Sequence, residues 1–220
     1  MNLFRITLTC LPLFSMPWAS LGQKKVSELT LIYDYSVVRP DSSAKSPAEN
    51  AIHTIYIKGK KCRSEISNSL FSSTTIYDGS TGFGVILKEV SGQKLLIRLN
   101  PENWTERSAQ YEGIVYKNTT ETKEIAGYKC IKAIGTSHSG ATITVYYTRD
   151  LIPETREYDP YFRTLDGLPL EYEFANGKVR IRYRVSRMNF NPVPESKFDI
   201  PRSGYREMNY EESKKMGMGG

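Results

Sequence analysis

Residues 165–187 read LDGLPLEYEFANGKVRIRYRVSR, and this stretch decides the fold. Its period is two: Leu168, Leu170, Tyr172 and Phe174 alternate with Pro169, Glu171 and Glu173. After Asn176-Gly177 the apolar Val179, Ile181, Tyr183 and Val185 alternate with Lys178, Arg180, Arg182 and Arg184. Both residues of an Asn-Gly pair tolerate positive φ, which favours a type I′ hairpin. With Ala175 facing Lys178, Glu173 meets Arg180 and Glu171 meets Arg182 on one side, while Phe174 meets Val179, Tyr172 meets Ile181 and Leu170 meets Tyr183 on the other. Such cross-strand pairs contribute roughly 0.2–1 kcal/mol each. A slip of one residue would turn the whole apolar row to water, so the faces are strongly specified. The expectation is an antiparallel hairpin with one charged, wet face and one buried face.

The same alternation spreads in both directions. Upstream, residues 26–38 place Leu29, Leu31, Tyr33 and Tyr35 on one face, and residues 51–69 read as a hairpin turning at Lys58-Gly59-Lys60. Three further strands, 74–78, 83–90 and 93–99, are separated by turn residues at 78–82 and at Ser91-Gly92. Residues 39–50, with two prolines and three serines, read as a loop. Strands resume at 113–120, 122–136 and 141–148. Between these groups NPENWTERSAQ, residues 100–110, differs in kind: Asn100 suits an N-cap, Pro101 the first helical position and Glu102 the first turn. A short helix is predicted there, with Trp104 packed back on the sheet. Residues 151–166 read as a connection with one helical turn at 159–164, residues 188–201 as irregular, and 205–216 as a terminal helix before a mobile tail at 217–220.

The fold class is therefore mainly β: roughly nine or more antiparallel strands joined by short turns, with few helices. A sheet this long that buries one face must curl around a second sheet, a helix or a ligand.

The first 22 residues carry Arg5, a short apolar run and small residues at Ser20 and Gly22, the pattern of a secretory signal peptide cleaved near Gly22-Gln23. Cys10 has almost no apolar run before it, which argues against lipidation. No stretch approaches the roughly 20 apolar residues of a transmembrane helix. The chain is thus read as exported, with residues 23–216 forming one domain. The net charge of +6 is mild and spread along the chain, and no basic helix or aromatic-basic motif accompanies it, which disfavours nucleic acid as a partner. Beyond the leader two cysteines remain, Cys62 and Cys130. An oxidising compartment invites a disulfide between them, but both lie within strand-like runs, and a bridge needs Cα atoms within about 7 Å. Two buried thiols are the alternative.

Catalytic signatures are sparse. With only two histidines, His53 in a strand and His138 in a turn, a multi-histidine metal site is excluded and a Ser-His-Asp triad has few ways to form. Asp159 with Asp166 is the one carboxylate pair weighed, and it is disfavoured for glycosidase-like chemistry. No phosphate loop, nucleophile elbow or dinucleotide fingerprint is present. The arginine ladder at 180, 182, 184 and 187 reads as structural, because Glu171 and Glu173 stand opposite two of its members. No catalytic residue, metal ligand or cofactor is expected.

Several short motifs carry a family likeness. TKEIAGYKCIKA at 122–133, the strand ending in Arg149-Asp150-Leu151, and LDGLPLEY at 165–172 resemble a group of uncharacterised exported proteins of Gram-negative bacteria. KGKKCRSE at 58–65 and TIYDG at 75–79 are similar to domain-of-unknown-function relatives of the periplasmic lipoprotein carriers LolA and LppX. The resemblance implies a curved antiparallel half-barrel of about nine or more strands, concave and apolar inside, with about one to three short helices across the concave side, in a non-enzymatic periplasmic protein that holds a lipid, acyl chain or other apolar envelope component. On that reading the inward-facing Tyr35, Tyr147, Leu168, Leu170, Tyr172, Phe174, Ile181 and Tyr183 are the candidate ligand-binding lining. The alternative is an envelope protein-interaction or scaffold module with a side-chain-filled core and a protein partner.

Overall fold

The computed structural model describes residues 23–38, 51–138, 140–176 and 179–217. The expected leader, the 39–50 loop, Gly177-Lys178 of the hairpin turn and the tail from 218 lie outside these. The single first strand predicted from the sequence is divided at Ser27 into β1 (Lys24–Val26) and β2 (Glu28–Val38). A run of hairpins follows: β3 (Ile52–Lys58), β4 (Lys61–Ser67), β5 (Phe71–Asp78), β6 (Phe83–Val90) and β7 (Gln93–Leu99). After helix α1 (Pro101–Ala109) come β8 (Val115–Ile125), β9 (Tyr128–Thr136), β10 (Thr142–Thr148), β11 (Leu151–Pro153), β12 (Leu168–Asn176) and β13 (Val179–Asn189). The chain closes with β14 (Arg206–Met208) and α2 (Tyr210–Lys215).

Twelve strands form one sheet in the order β14-β7-β6-β5-β4-β3-β2-β13-β12-β10-β9-β8, antiparallel except for the β14–β7 pair. The sheet does not close on itself, so the architecture is the curved half-barrel expected. A separate two-stranded parallel ladder joins β1 to β11. Helix α1 forms as its residues dictate: the Asn100 side chain accepts from the Asn103 N–H at 2.8 Å, and the Asn103 side chain returns the bond to the Asn100 N–H. The predicted terminal helix is shorter than its sequence span, because residues 206–208 satisfy their backbone against the edge strand β7 and helix begins only beyond the Asn209 cap.

The 165–187 hairpin keeps the predicted faces but not the predicted partners. Ala175 faces Arg180, Glu173 faces Arg182, Glu171 faces Arg184 and Tyr172 faces Tyr183, a shift of two residues from Ala175 opposite Lys178. Alternation cannot distinguish these registers, since a shift of two leaves every side chain on the same face. The salt-bridged face survives: Arg182 donates to Glu173 through Nε at 3.1 Å and Nη2 at 2.9 Å, and Lys123 reaches Glu171 at 2.7 Å. At the start of β12, Gly167 has φ +152, and a Cβ there would lie 2.1 Å from the Thr148 carbonyl oxygen, so only glycine fits. Pro169 follows opposite a bulge at Tyr146/Tyr147, and its carbonyl accepts the Tyr33 hydroxyl at 2.8 Å. Gly167-Leu168-Pro169 is thus where the chain bends into the sheet.

The concave side is packed. Leu29, Leu31 and Tyr33 of β2, Ile55 and Ile57 of β3, and Leu168, Leu170 and Tyr172 of β12 form one buried cluster with Tyr158, Phe162 and Leu165 of the connection between β11 and β12. That connection, with a 3₁₀ turn at Pro160–Phe162, lies across the half-barrel and fills it. Beyond β4 the concave face is covered by α1 and α2, with Trp104, Met208 and Tyr210 packed on Ile86, Leu95, Ile97 and Leu99. On the convex side Phe198 and Tyr205 cover Ile76, Val85, Leu87 and Leu96.

Of the two alternatives for Cys62 and Cys130, a bridge or two buried thiols, the structure has the second: both are free and buried. Cys62 lies on β4 and Cys130 on β9, with six steps of the sheet order between them, so they are not neighbours in the ladder. Burial raises both thiols, Cys130 to about 11 and Cys62 further, so neither is an active thiolate. Iodoacetamide should therefore leave both unmodified in the folded protein and label both in denaturant without prior reduction, read by peptide mass. A residue that stays unlabelled in denaturant until reductant is added would contradict two free thiols.

Candidate functional site

Of the concavities among the described residues, two lie beside the sheet-covering segments and bear on function. The inner one, about 170 Å³, opens where β3, β12 and β13 meet α1 and the 151–166 connection. The connection supplies Glu157, Asp159 and Tyr161, α1 supplies Trp104 and Arg107, and the sheet supplies His53, Ser64, Tyr172, Phe174 and Tyr183. Tyr161 packs on Phe174 with ring centroids 4.7 Å apart and on Tyr111 at 4.5 Å, so the opening is rimmed by aromatic rings.

Beneath these rings is a polar cluster. Glu157 accepts from the Trp104 indole N–H at 3.0 Å and from the Arg163 guanidinium, which also donates to Ser108 Oγ at 2.9 Å. Asp159 caps the 3₁₀ turn, its Oδ1 accepting from the Tyr161 N–H at 3.1 Å. Burial pushes the Asp159 carboxyl up to about 7, against the opposing pull of that N–H and of Arg107. His53 is held between Ser64 Oγ, 2.8 Å from Nε2, and the Tyr172 hydroxyl, 3.2 Å from Nδ1, with its ring stacked on Tyr33. Burial lowers its pKa to about 4, so the imidazole is neutral at physiological pH. The Ser64–His53–Tyr172 line ends on a phenol instead of the carboxylate that steadies an imidazolium in a catalytic triad. Asp159 and Asp166 do not form a pair: Asp159 is buried, whereas Asp166 is exposed and bridged to Arg149 at 3.4 Å.

The second concavity, about 500 Å³, lies at the end of the sheet where β5 turns into β6. Its apolar walls are Ile76, Val85, Phe83 and Leu99 of the sheet, with Phe198 and Ile200 of the segment that crosses the convex face. Phe83 is 59% exposed and Ile200 38%. Lys61, Asp78, Arg98 and Asn103 surround them. Gly84 forms the floor, and a Cβ there would come within 3.0 Å of the Trp104 ring.

The expected lining residues are divided between these environments and the core. Tyr172, Phe174 and Tyr183 line the inner cavity, Tyr35 packs edge-on against Tyr183 at 5.2 Å, and Ile181 lies opposite Phe174 in the ladder. Tyr147, Leu168 and Leu170 are enclosed in the packed core. The sequence reading did not pick out Arg107, Glu157, Arg163, Phe83 or Ile200. A signal for the first group was present: ETREYDPYFR, residues 154–163, is too rich in aromatic and charged residues together for a simple surface connection. Among the described residues no helix is long and apolar enough to cross a membrane.

No family model and no curated protein matches the chain. Solved structures that resemble it include PNGF-II in its P21 crystal form, at 16% identity and TM-score 0.51 over 87% of this chain and 33% of that one. An uncharacterized conserved protein from Thermus thermophilus follows at 11% identity and TM-score 0.48, over 83% and 90% of the two chains. The Mycobacterium tuberculosis lipoprotein LppX is also among them, at 9% identity and TM-score 0.40 over 76% and 88%. This chain spans about a third of the length of PNGF-II, and at these identities the likeness is one of fold.

Proposed function

We propose that this chain is an exported, non-enzymatic binding module of the cell envelope that holds an acyl chain or comparable apolar group in the cleft between Phe83 and Ile200. The observation that carries this reading is the cleft itself: about 500 Å³ with two large apolar side chains open to solvent. That volume falls within the roughly 300–1,000 Å³ typical of ligand pockets, whereas the inner cavity of about 170 Å³ falls below it. Covering Phe83 and Ile200 with an acyl chain would be favourable at about 25 cal/mol per Å² removed from water. Export rests on the leader at 1–22, and the half-barrel is the scaffold that sets the cleft walls.

Native mass spectrometry of protein purified with its own envelope should show a bound lipid mass. The Phe83→Ser, Ile200→Ser double variant should lose it while keeping its thermal midpoint, since both side chains are already exposed. Retention of the lipid by that variant would place the seat elsewhere, on the wall of Tyr35, Phe174, Ile181 and Tyr183. A second reading, an interaction module with a solid core, is favoured by the filling of the half-barrel by Tyr158, Phe162 and Leu165. It predicts a ligand-free chain with a co-purifying envelope protein.

A further inference from the structure

The inner cavity contains a cation, Arg107, that lies over the Trp104 ring and attracts Asp159 but leaves one donor without an acceptor. Arg107 projects from the last turn of α1 into the cavity, and its buried Nε has no acceptor among the described residues. The nearby acids are engaged: Glu157 accepts from Arg163 and Trp104, and Asp159 accepts from the Tyr161 N–H. Burial lowers the Arg107 guanidinium from its ordinary value, with Arg163 adding to the fall, and Lys88 is lowered by burial and by Arg107. Arg107 is the one lysine or arginine among the residues that line the cavity, beside Glu157 and Asp159, and Tyr161, Phe174 and Tyr183 supply its aromatic wall. A buried guanidinium donor left unpaired costs free energy that a bound acceptor would recover.

We propose that the inner cavity is the seat of a small organic monocarboxylate, whose acid group bonds Arg107 and whose flat or short apolar body lies between Tyr161, Phe174 and Tyr183. The volume of about 170 Å³ limits the ligand to a single ring or a short chain, and the half-buried rings at the mouth give it a path in. This site is distinct from the Phe83–Ile200 cleft and does not depend on it. Asp159 sets its pH dependence. The groups facing Asp159 are Arg107 on α1, Tyr33 on β2, Tyr116 on β8, Tyr172 on β12, Tyr183 on β13, and its neighbours Tyr158 and Tyr161. With its carboxyl at about 7, Asp159 carries a negative charge above neutrality that repels the ligand, so binding strengthens as the pH falls below about 7.

Benzoate titrated into the whole chain by calorimetry at pH 6 and pH 8 tests this. Binding at pH 6 and weaker binding at pH 8 are expected, with Asp159→Asn removing most of the difference. Arg107→Gln should weaken binding by about tenfold or more, and Arg107→Lys should recover part of it. Phe174→Leu, at a half-buried position, should weaken benzoate while leaving the fold intact, and it supplies the decision if the Arg107 variants do not fold. Absence of benzoate binding, an unchanged affinity in Arg107→Gln, or tighter binding of inorganic phosphate than of benzoate would each overturn the proposal.

Discussion

Replacing Phe162 by alanine is expected to cost about 3–5 kcal/mol of folding stability, read as a fall in the urea midpoint at unchanged slope. Phe162 is 1% exposed and packs edge-on against Tyr172 with ring centroids 4.8 Å apart. It is the residue by which the 151–166 connection fills the half-barrel, alongside Tyr158 and Leu165. Against a total stability of about 5–15 kcal/mol such a loss is large. The same variant tests the architecture in a second way. The space left by the ring would border Tyr172 and the apolar wall of β12, and an apolar cavity of this kind stays dry and accepts apolar molecules. Phe162→Ala should therefore gain binding of a small apolar probe that the parent chain lacks. A loss below about 1 kcal/mol with no gain of probe would mean that the interior relaxes around the missing ring.

The second large effect is hidden in the parent protein and appears in single variants. His53 is 3% exposed and its folded value is about 4, so between pH 4 and the ordinary histidine value near 6.5 the unfolded chain binds the extra proton. Its contribution is complete above about pH 6.5 and is lost as the pH falls toward 4. Asp159 works in the opposite sense: its folded value of about 7 lies above 3.8, so the folded chain binds the extra proton. Its contribution is complete near pH 4 and declines as the pH rises to about 7. Across the shared window the two slopes oppose each other, and these groups together leave stability nearly flat. Asp159→Asn, which keeps the cap on the 3₁₀ turn, should leave the histidine slope alone: stability rising by on the order of 3 kcal/mol from pH 4 to 6.5. His53→Gln should show the reverse, a fall of similar size over the same range. Urea midpoints at four or five pH values would decide. Identical pH profiles for both variants would show that neither group is held away from its ordinary state.

How much of this was legible in the sequence differs from element to element. Helix α1 was readable almost to the residue, because Asn100, Pro101 and Glu102 act through bonds and charges within one turn. The faces of β12 and β13 were readable because alternation has one physical meaning. Their partners were not, since Glu173 meets Arg182 instead of Arg180 only when the whole sheet is assembled around the hairpin. The stretch at 206–208 carried no strand signal of its own and is a strand because the edge of β7 offered it bonds. Tyr172, Phe174 and Tyr183 could be assigned to the inward face, but whether that face met a ligand or other side chains depended on residues remote in the chain.

By itself the sequence pattern determined the β architecture and the inward face, because side-chain period, turn residues and caps are local and are settled within a few residues. Only the tertiary structure decided that Tyr158, Phe162 and Leu165 fill the half-barrel, that Cys62 and Cys130 remain apart, and that Arg107 and Asp159 share a cavity with His53. Those outcomes depend on how a long connection packs across a twelve-stranded sheet. Packing of that kind is fixed by volume and charge gathered from distant parts of the chain, which no local pattern encodes.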